Sequence, residues 1–417
     1  METVVIVGAS LAGAKAAETL RAEGFTGRVV LVGEEPELPY ERPPLSKGYL
    51  LGREPRDGGR VHDQAWYADQ RVELLLGRRA VAVDRATHTV ALADGESLRY
   101  DRLLLATGSR VRRLEVAGGD NAGVRYLRTV ADADQLRADL KPGTQVVVVG
   151  AGWIGLEVAA AAREHGCTVA VVETDSLPLR RVLGDEVAAV YRDLHAGHGV
   201  EFHFDVGVRA FGGLDGQVTD VILDNGTEIP ADVVVVGIGI TPATELAEAA
   251  GLDLDNGIAV DERLRTSDPD VFACGDVAAW RSRLVGNRIR VEHWANALNS
   301  GPAAAKAILD RDEDYDPVPY FYSDQYDLGM EYSGYVPRNG YDQLVVRGDL
   351  TVPLDGKAPE FVAFWLKDER VLAGMNANVW DVVDPIQELV RAGYAGRRVD
   401  LGRLGDPAVP LTEVLEG

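Results

Sequence analysis

The sequence predicts an α/β fold in which one βαβ unit with a parallel sheet occurs twice. The first observation is VVIVGASLAGAKAAE at residues 4–18, a β-branched run followed by a glycine-containing turn and an alanine-rich segment. The second is VVVVGAGWIGLE at residues 146–157, which repeats this order. Since a strand, a turn, a helix and a second strand form a right-handed βαβ unit, we expect two such units.

The elements of the two predicted units correspond one to one. The first unit has a strand at residues 4–7, a helix at 11–23 that ends before Gly24, and a strand at 28–33. The second unit has a strand at 145–149, a turn at 150–155, a helix from about 154 to 164 and a strand at 168–173.

The correspondence continues further along the chain. ADGESLRYDRLLLATG at residues 93–108 and LDNGTEIPADVVVVGIG at residues 223–239 each contain a hairpin turn, an aspartate and a buried strand that ends in glycine. The repeated unit therefore covers roughly residues 1–108 and 145–239.

Length and composition limit the function classes. The chain has 417 residues, 46% hydrophobic and 26% charged, which is typical of a globular protein with two or three domains. Its apolar runs are far shorter than the roughly 20 residues of a membrane span, and no export signal precedes the first strand, so we expect a cytoplasmic protein. A net charge of -23 disfavours binding to nucleic acid or anionic lipid.

The glycine turns predict dinucleotide binding. In such a turn the first glycine permits a tight reversal, the second position is small so that a diphosphate can approach, and the third lets helix and strand pack closely. The helix N-terminus then offers free N–H groups to the phosphates. The residues at these positions are Gly150, Gly152 and Gly155 in the second unit, and Gly8, Ser10 and Gly13 in the first.

A carboxylate at the end of the second strand supports this prediction in both units. Glu34 and Glu173 occupy that place, where the ribose hydroxyls should lie. A carboxylate there repels a 2′-phosphate, so Glu173 favours NADH over NADPH. Arg180 and Arg181 could instead hold a phosphate, or belong to a solvated loop.

Five further motifs carry a resemblance to a known family. The chain resembles the FAD-dependent NADH:ferredoxin reductases of bacterial oxygenase systems, which include the putidaredoxin, rubredoxin and dioxygenase ferredoxin reductases; apoptosis-inducing factor is a more distant relative. The motifs are PYERPPLSKGYL at 39–50, ATG at 106–108, TSDPDVFACGDVA at 266–278, VEHWANALNSGPAAAKAIL at 291–309 and FYSDQYDLGMEYSGY from 321.

The resemblance implies a glutathione-reductase-type FAD/NAD(P) fold with two Rossmann-like dinucleotide-binding domains and a C-terminal α+β domain. The FAD-binding domain is then discontinuous, at residues 1–108 and 240–315. The NAD-binding domain occupies residues 109–239, and the C-terminal domain residues 316–417.

The resemblance also implies tightly bound FAD and NADH as the electron donor. The residues expected to contact FAD are Gly8, Ser10, Gly13, Glu34, Arg42, Lys47, Thr107, Gly108, Arg128, Asp276, Glu292 and Trp294. Those expected to contact NADH are Gly150, Gly152, Ile154, Gly155, Glu173, Gly237 and Gly239.

Three residues are candidates for a catalytic role. In this family a lysine and a glutamate pair near flavin N5, and by position these are Lys47 and Glu157, while Trp294 forms a wall beside the ring. The alternatives are a surface lysine, a carboxylate that complements the helix dipole, and an ordinary core aromatic residue.

The predicted activity is electron transfer from NADH through FAD to a 2Fe–2S ferredoxin that serves a cytochrome P450 or a ring-hydroxylating oxygenase. Flavin accepts a hydride and releases single electrons. The alternatives are a rubredoxin or quinone reductase, and a redox-sensing flavoprotein similar to apoptosis-inducing factor. We expect a monomer or weak dimer. Ferredoxin would dock on local arginines, with a rate that falls in salt, unless these form a solvated loop: Arg281, Arg283, Arg288 and Arg290.

Cysteine and histidine patterns argue against other chemistry. Cys167 and Cys274 are far apart and form no CxxC or CxxxxC pair, so we expect small core residues rather than a thiol relay or a disulfide. His195, His198 and His203 have a spacing that could suggest a metal site, but Gly197 and Gly199 predict a solvated helix end instead. No metal is expected.

Overall fold

A computed structural model of the chain describes residues 2–337, 340–353 and 357–416. The strands in chain order are β1 Thr3–Val7, β2 Arg28–Val32, β3 Val72–Leu75, β4 Ala80–Asp84, β5 Thr89–Leu92, β6 Ser97–Arg99, β7 Arg102–Leu105, β8 Ser109–Val111, β9 Val124–Arg125, β10 Gln145–Val149, β11 Thr168–Val172, β12 Val200–His203, β13 Val208–Leu214, β14 Gln217–Leu223, β15 Glu228–Pro230, β16 Val233–Val236, β17 Ile240–Pro242, β18 Ile258–Val260, β19 Val271–Ala273, β20 Ala278–Ser282, β21 Asn287–Ile289, β22 Tyr320–Gln325, β23 Leu328–Gly334, β24 Gln343–Gly348, β25 Phe361–Lys367 and β26 Arg370–Ala377. The α-helices are α1 Leu11–Ala22, α2 Gln64–Asp69, α3 Val130–Asp139, α4 Trp153–Glu164, α5 Arg180–Gly197, α6 Glu245–Ala249, α7 Trp294–Ile308, α8 Val383–Tyr394 and α9 Leu401–Gly405.

Contacts between residues divide the chain into two compact units. Unit 1 consists of Met1–Glu41, Asp57–Arg110 and Thr241–Pro319, and unit 2 of Arg42–Arg56, Val111–Ile240 and Tyr320–Gly417. The predicted division into an FAD-binding, an NAD-binding and a C-terminal domain partitions the chain differently, and it stays a prediction.

The central sheet of unit 1 contains the first predicted βαβ unit. Its strand order is β19-β7-β1-β2-β3, and β1 pairs in parallel with both β2 and β7. Valine and isoleucine fill β1 because both faces of this sheet are covered. Helix α1 packs closely on α7, where a Cβ added to Gly301 would lie 2.3 Å from the Ala12 carbonyl oxygen.

The central sheet of unit 2 repeats this topology. Its order is β12-β11-β10-β16-β9, and β10 pairs in parallel with both β11 and β16. Successive β10 side chains enter different hydrophobic clusters, Val146 and Val148 on one face and Val147 and Val149 on the other. The predicted duplication is therefore confirmed.

The last part of unit 2 is an antiparallel sheet with a helix packed on it. The strand order is β22-β23-β26-β25-β24, and the side chain of Ile386 in α8 lies against Gly374 in β26. The buried aromatic residues Phe361, Phe364 and Trp365 come from β25. This arrangement agrees with the expected C-terminal α+β region.

The predicted hairpins are present, and the element boundaries differ by one residue. Gly95 and Gly226 have φ values of 92° and 86° in the turns that follow β5 and β14. Helix α4 begins at Trp153, one residue before the prediction, because Gly152 is its N-cap. Within the described ranges, every helix is too short or too polar to cross a bilayer.

Candidate functional site

The first glycine of each turn is required by the backbone. Gly8 and Gly150 have φ values of +123° and +101°, which residues with a side chain rarely adopt. A Cβ on Gly8 would lie 2.0 Å from the Ala106 carbonyl oxygen, and one on Gly150 would lie 2.5 Å from the Gly237 carbonyl oxygen. Each turn therefore touches the end of the neighbouring parallel strand, as a tight reversal requires.

The third glycine brings each helix against its own turn. A Cβ on Gly13 would lie 2.0 Å from the Gly8 carbonyl oxygen, and one on Gly155 would lie 2.1 Å from the Gly150 carbonyl oxygen. At these distances only a hydrogen atom fits. Both turns thus use their glycines for the same two contacts.

The middle position of the second turn is open, which fits a dinucleotide. A Cβ on Gly152 would meet no atom within 4 Å, whereas in the first turn Ser10 Oγ lies 3.4 Å from the Tyr40 carbonyl oxygen. Neither α1 nor α4 has a side-chain hydrogen bond at its N-cap. The first backbone N–H groups of both helices are therefore not bound by an N-cap side chain. Because helix N-termini bind phosphate through these N–H groups, the residues present fit a diphosphate at each turn.

The two strand-end carboxylates lie in different environments. Glu173 accepts a hydrogen bond from the Ala151 N–H at 2.7 Å and another from the Asp175 N–H at 3.0 Å, so its carboxylate is fixed beside the second turn. Glu34 is exposed, and its nearest cations are Arg79 and Arg110, at 3.8 and 4.0 Å. Only Glu173 is bound to the turn that it follows.

The two arginines near Glu173 are already paired. Arg180 forms an ion pair with Asp185, and Arg181 forms one with Asp175. Both arginines are exposed, as the solvated-loop alternative expects, but they lie at the start of α5 rather than in a loop. A guanidinium held by an aspartate is a poor ligand for a ribose phosphate, because the carboxylate competes for it and repels the phosphate.

Lys47 and Glu157 form a buried ion pair in unit 2. Lys47 follows the short 3-10 helix Pro43–Ser46, and its Nζ lies 2.8 Å from Glu157 Oε1. The side chains are only 16% and 2% exposed. Ser46 Oγ and Ser323 Oγ also donate to this carboxylate, at 2.5 and 2.6 Å. Neither the surface lysine nor the simple helix-dipole carboxylate describes this arrangement.

Strand β22 contributes further groups around Lys47. Lys47 Nζ lies 5.3 Å from the centroid of the Tyr322 ring, a cation–π distance. Burial raises the pKa of Asp324, and the neighbouring Lys47 opposes that shift while the Glu157 carboxylate adds to it. Sequence reasoning missed Ser46 and these β22 residues. Ser46 adjoins Lys47 in the PPLSKGYL motif, whereas no local pattern in the sequence marks the β22 residues.

The unit 1 candidates surround the start of α7. Trp294 is its first residue, and the indole N–H donates to Glu41 Oε2 at 2.9 Å. Trp294 is half-buried, so it is not an ordinary core residue. Glu292 is exposed and paired with Arg290. Burial lowers the pKa of His293 to about 4, and the Asp276 carboxylate opposes this shift.

The remaining candidates lie at strand ends and turns. Their roles as cofactor ligands stay predictions. Thr107 Oγ1 donates to the Ala243 carbonyl at 2.7 Å, Gly108 has a φ of 67°, Asp276 lies in the 3-10 turn after β19, Arg42 donates to the Arg128 carbonyl, Ile154 is 44% exposed in the first turn of α4, and Gly237 and Gly239 follow β16.

Comparison with known proteins assigns the chain to a family. Residues 2–301 match the family described as pyridine nucleotide-disulphide oxidoreductase, and residues 320–415 match the one described as reductase C-terminal. The chain belongs to the pyridine nucleotide-disulphide oxidoreductase family. The predicted fold class and the predicted oxidoreductase class are therefore confirmed.

Relatives of this oxidoreductase are similar over almost its whole length. The ferredoxin–NAD(+) reductase component of the anthranilate 1,2-dioxygenase system of Burkholderia cepacia is 43% identical, covering 99% of this chain and 98% of the relative. Putidaredoxin reductase of Pseudomonas putida is 39% identical, with 99% and 97% covered. The crystal structure of a covalent putidaredoxin reductase–putidaredoxin complex matches with a TM-score of 0.92 and 39% identity, over 99% and 97% of the two chains.

The cysteines of this oxidoreductase are core residues, as predicted. Cys167 and Cys274 are free and fully buried, and burial raises the pKa of both thiols. A buried thiol with a raised pKa is a poor nucleophile. The structure therefore offers no thiolate for a relay at these positions.

The prediction of a solvated helix end at the histidines is wrong for His195. His195 is fully buried, and its Nε2 lies 2.8 Å from Gln325 Oε1, because α5 continues to Gly197 and packs its inner face on β22. His198 is half-buried and stacks on Tyr326. Across the described residues there is no group of three side chains that could hold a metal ion.

The four arginines proposed for ferredoxin docking do not form a free cationic patch. Arg281 and Arg288 lie in β20 and β21, Arg290 follows β21, and Arg283 lies in the exposed turn between the two strands, as the solvated-loop alternative expects. Three are paired with carboxylates: Arg283 with Asp314, Arg288 with Asp255, and Arg290 with Glu292. Only Arg281 is exposed and lacks an ion pair within the described part of the chain.

Proposed function

We propose that this oxidoreductase contains FAD, oxidises NADH and passes electrons to a 2Fe–2S ferredoxin that feeds a cytochrome P450 or a ring-hydroxylating oxygenase. The observation that carries the proposal is the duplicated glycine turn, present once in each unit with an uncapped helix N-terminus behind it. FAD, when bound, accepts a hydride and releases electrons singly. The relatives are named for the same chemistry, as ferredoxin–NAD(+) and putidaredoxin reductases.

Lys47 and Glu157 supply a fixed charge in this proposal. A positive group beside an electron-rich ring stabilises the extra negative charge, provided that the group does not have to reorganise. Glu157 holds Lys47 in one orientation, and Ser46 occupies the other carboxylate oxygen. The pair is therefore prepared before the reaction begins. In unit 1, the hydrogen bond from Trp294 to Glu41 fixes the orientation of the indole ring.

The region after β11 supports a preference for NADH. The Glu173 carboxylate is fixed beside the second turn, where it can accept hydrogen bonds from free ribose hydroxyls. The two nearby arginines are neutralised by Asp185 and Asp175. A 2′-phosphate would therefore meet the negative charge of Glu173, and both of these arginines are already bound to carboxylates.

The proposed partner is an iron–sulfur ferredoxin, and nucleic acid is not a partner. The net charge of -23 supports the second statement, because a strongly anionic protein repels a phosphate backbone. A cytoplasmic location and a monomeric or weakly dimeric state complete the proposal.

The proposal is tested by rapid mixing of the purified yellow protein with NADH, followed by a panel of ferredoxins from the same cell. We expect NADH to bleach the flavin absorbance quickly and a 2Fe–2S ferredoxin to restore it. Lys47→Ala should slow bleaching while FAD stays bound, whereas Lys141→Ala, at an exposed lysine of the same unit, should not.

Four outcomes would contradict the proposal. Colourless protein, or flavin that ignores NADH, would reject it. Slow reduction with a long-lived complex of flavin and nicotinamide would instead favour a redox sensor. Rapid transfer to rubredoxin or quinone, but to no ferredoxin, would favour a reductase for those acceptors.

A further inference from the structure

A line of buried polar side chains leads from Glu157 into the C-terminal sheet. Ser323 Oγ lies 2.6 Å from Glu157 Oε1, and Gln325 Nε2 lies 3.1 Å from Ser323 Oγ. Gln325 Oε1 then lies 2.8 Å from His195 Nε2. All four residues are at most 3% exposed. Tyr326 ends the line, with its hydroxyl 3.4 Å from His195 Nδ1.

The hydrogen bonds of this line run in one direction. An ionised carboxylate only accepts, so the Ser323 hydroxyl donates to Glu157 and accepts from the Gln325 amide nitrogen. The amide oxygen of Gln325 therefore faces His195, which must donate from Nε2. Burial lowers the pKa of His195 to about 4, so the ring is neutral and its Nδ1 is free to accept from Tyr326.

Burying such a line of polar side chains costs free energy unless every polar group in it has a hydrogen-bond partner. Ser323 and Gln325 are alternate residues of β22, so both point to the same buried side of the strand, where apolar residues would pack more cheaply. A buried hydrogen-bond chain in which every group has a partner polarises along its length and fixes the orientation of its members. Every donor in this line of hydrogen bonds points toward Glu157.

We propose that Ser323, Gln325 and His195 are positioning residues that hold the Glu157 carboxylate, and through it Lys47, in a single orientation. The inference rests on the proposed function of Lys47 and Glu157. It assigns the C-terminal sheet a part in the chemistry, because Ser323 and Gln325 of β22 connect Glu157 to His195 of α5. The three residues act through Glu157 and are not catalytic residues themselves.

The kinetic test compares two serines of the same sheet. Ser323→Ala should slow flavin reduction at saturating NADH by about tenfold, the usual effect of losing one hydrogen bond to a charged group, with unchanged half-saturation by NADH. Ser323→Thr, which keeps the hydroxyl, should restore most of the rate. Ser333→Ala removes another buried serine hydroxyl, far from Glu157 in the hydrogen-bond network, and should keep the native rate.

A native rate in Ser323→Ala would overturn the inference, and so would an equal loss in Ser333→Ala. Gln325→Met provides a second variant that keeps the side-chain length but removes both amide groups. It should slow flavin reduction in the same direction as Ser323→Ala. A native rate in Gln325→Met would remove Gln325 and His195 from the proposal.

A second measurement does not depend on activity. In nitrogen NMR of protein labelled at histidine, His195 should be neutral with its proton on Nε2 between about pH 5 and about pH 8, with the signal assigned by its loss in His195→Gln. A proton on Nδ1, or a charged ring, would be incompatible with the direction of the hydrogen bonds and would overturn the inference. If NADH failed to reduce the native flavin, the proposed function would be wrong, but this spectrum would still decide whether the line of hydrogen bonds exists.

Discussion

At the scale of single residues, Glu173 sets the expected choice between NADH and NADPH. Its carboxylate accepts a hydrogen bond from the Ala151 N–H, and Asp175 forms an ion pair with the guanidinium of Arg181. We expect Glu173→Ala to lower the ratio of kcat/KM for NADH to that for NADPH by about tenfold. Adding Asp175→Ala should lower the ratio further, because it releases Arg181 to bind the 2′-phosphate.

Steady-state kinetics with both nucleotides provide the measurement. Glu228→Ala, at an exposed glutamate on β15, is the matched control and should leave the ratio unchanged. An unchanged ratio in Glu173→Ala would remove the role assigned to this residue.

His195 makes stability depend on pH. Its pKa is lowered from 6.5 to about 4 by burial, so between these values the unfolded chain binds a proton that the folded chain does not. Stability therefore falls as pH falls through this window, by up to about 1.4 kcal/mol per pH unit. His195→Gln should make the fall in Tm between about pH 7 and about pH 5 shallower, whereas His88→Gln, at a partly exposed histidine, should not. Parallel curves for His195→Gln and the native protein would refute this.

The residues of the Lys47 site differ in how visible they are from the sequence. Lys47 and Glu157 lie in motifs, PPLSKGYL and GAGWIGLE, whose spacing and resemblance both pointed to them. Ser323 and Gln325 act only because β22 packs on α4 and α5, a contact between segments more than 100 residues apart in sequence. No local pattern reports such a contact, so their roles could not be predicted.

At the scale of elements, two glycines of the second turn are expected to have different roles, one in nucleotide binding and the other in stability. A methyl group on Gly152 meets open space, whereas one on Gly155 would lie 2.1 Å from a backbone oxygen. We expect Gly152→Ala to raise KM for NADH with an unchanged Tm, because the methyl group occupies space needed by the diphosphate. Gly155→Ala should instead lower the free energy of unfolding by about 1–3 kcal/mol.

Thermal unfolding and NADH titration of the two variants check this prediction. If Gly152→Ala bound NADH normally, the open position would have no role in nucleotide binding. If Gly155→Ala kept the native Tm, the close packing of helix on turn would not matter for stability.

Elements were predictable where local chemistry defines both ends. The strand, turn and helix of each unit were placed within a residue, because β-branched runs and glycines mark their boundaries. The sequence predicts the end of α5 near Gly197, but it does not predict that His195 is buried. A helix end is a local property, whereas the face that it buries is decided by what packs against it, here β22.

At the scale of the whole molecule, the two units share a topology but differ in what is added to it. Both have a five-stranded parallel sheet with the glycine turn after the central strand. In unit 2 the five-stranded antiparallel sheet β22-β23-β26-β25-β24 is added, and its first strand brings Ser323 to Glu157. The duplication could be read from the sequence because glycine patterns repeat, whereas the added sheet was identified by resemblance alone.

The net charge of the whole molecule sets the expected response to salt. The charge is -23, and three of the four arginines considered for docking are neutralised by carboxylates, so an anionic ferredoxin approaches against repulsion. The screening length falls from about 30 Å to about 10 Å as salt rises from about 0.01 M to about 0.1 M. At saturating NADH the second-order rate for ferredoxin should therefore rise over this range, opposite to the sequence-based expectation.

Ferricyanide, an anion, should show the same rise, and a cationic one-electron acceptor should show a fall. A ferredoxin rate that falls while the ferricyanide rate rises would mean that a local cationic surface, with Arg281 the first candidate, overrides the net charge; Arg281→Glu should then reverse the slope, and Arg283→Glu should not.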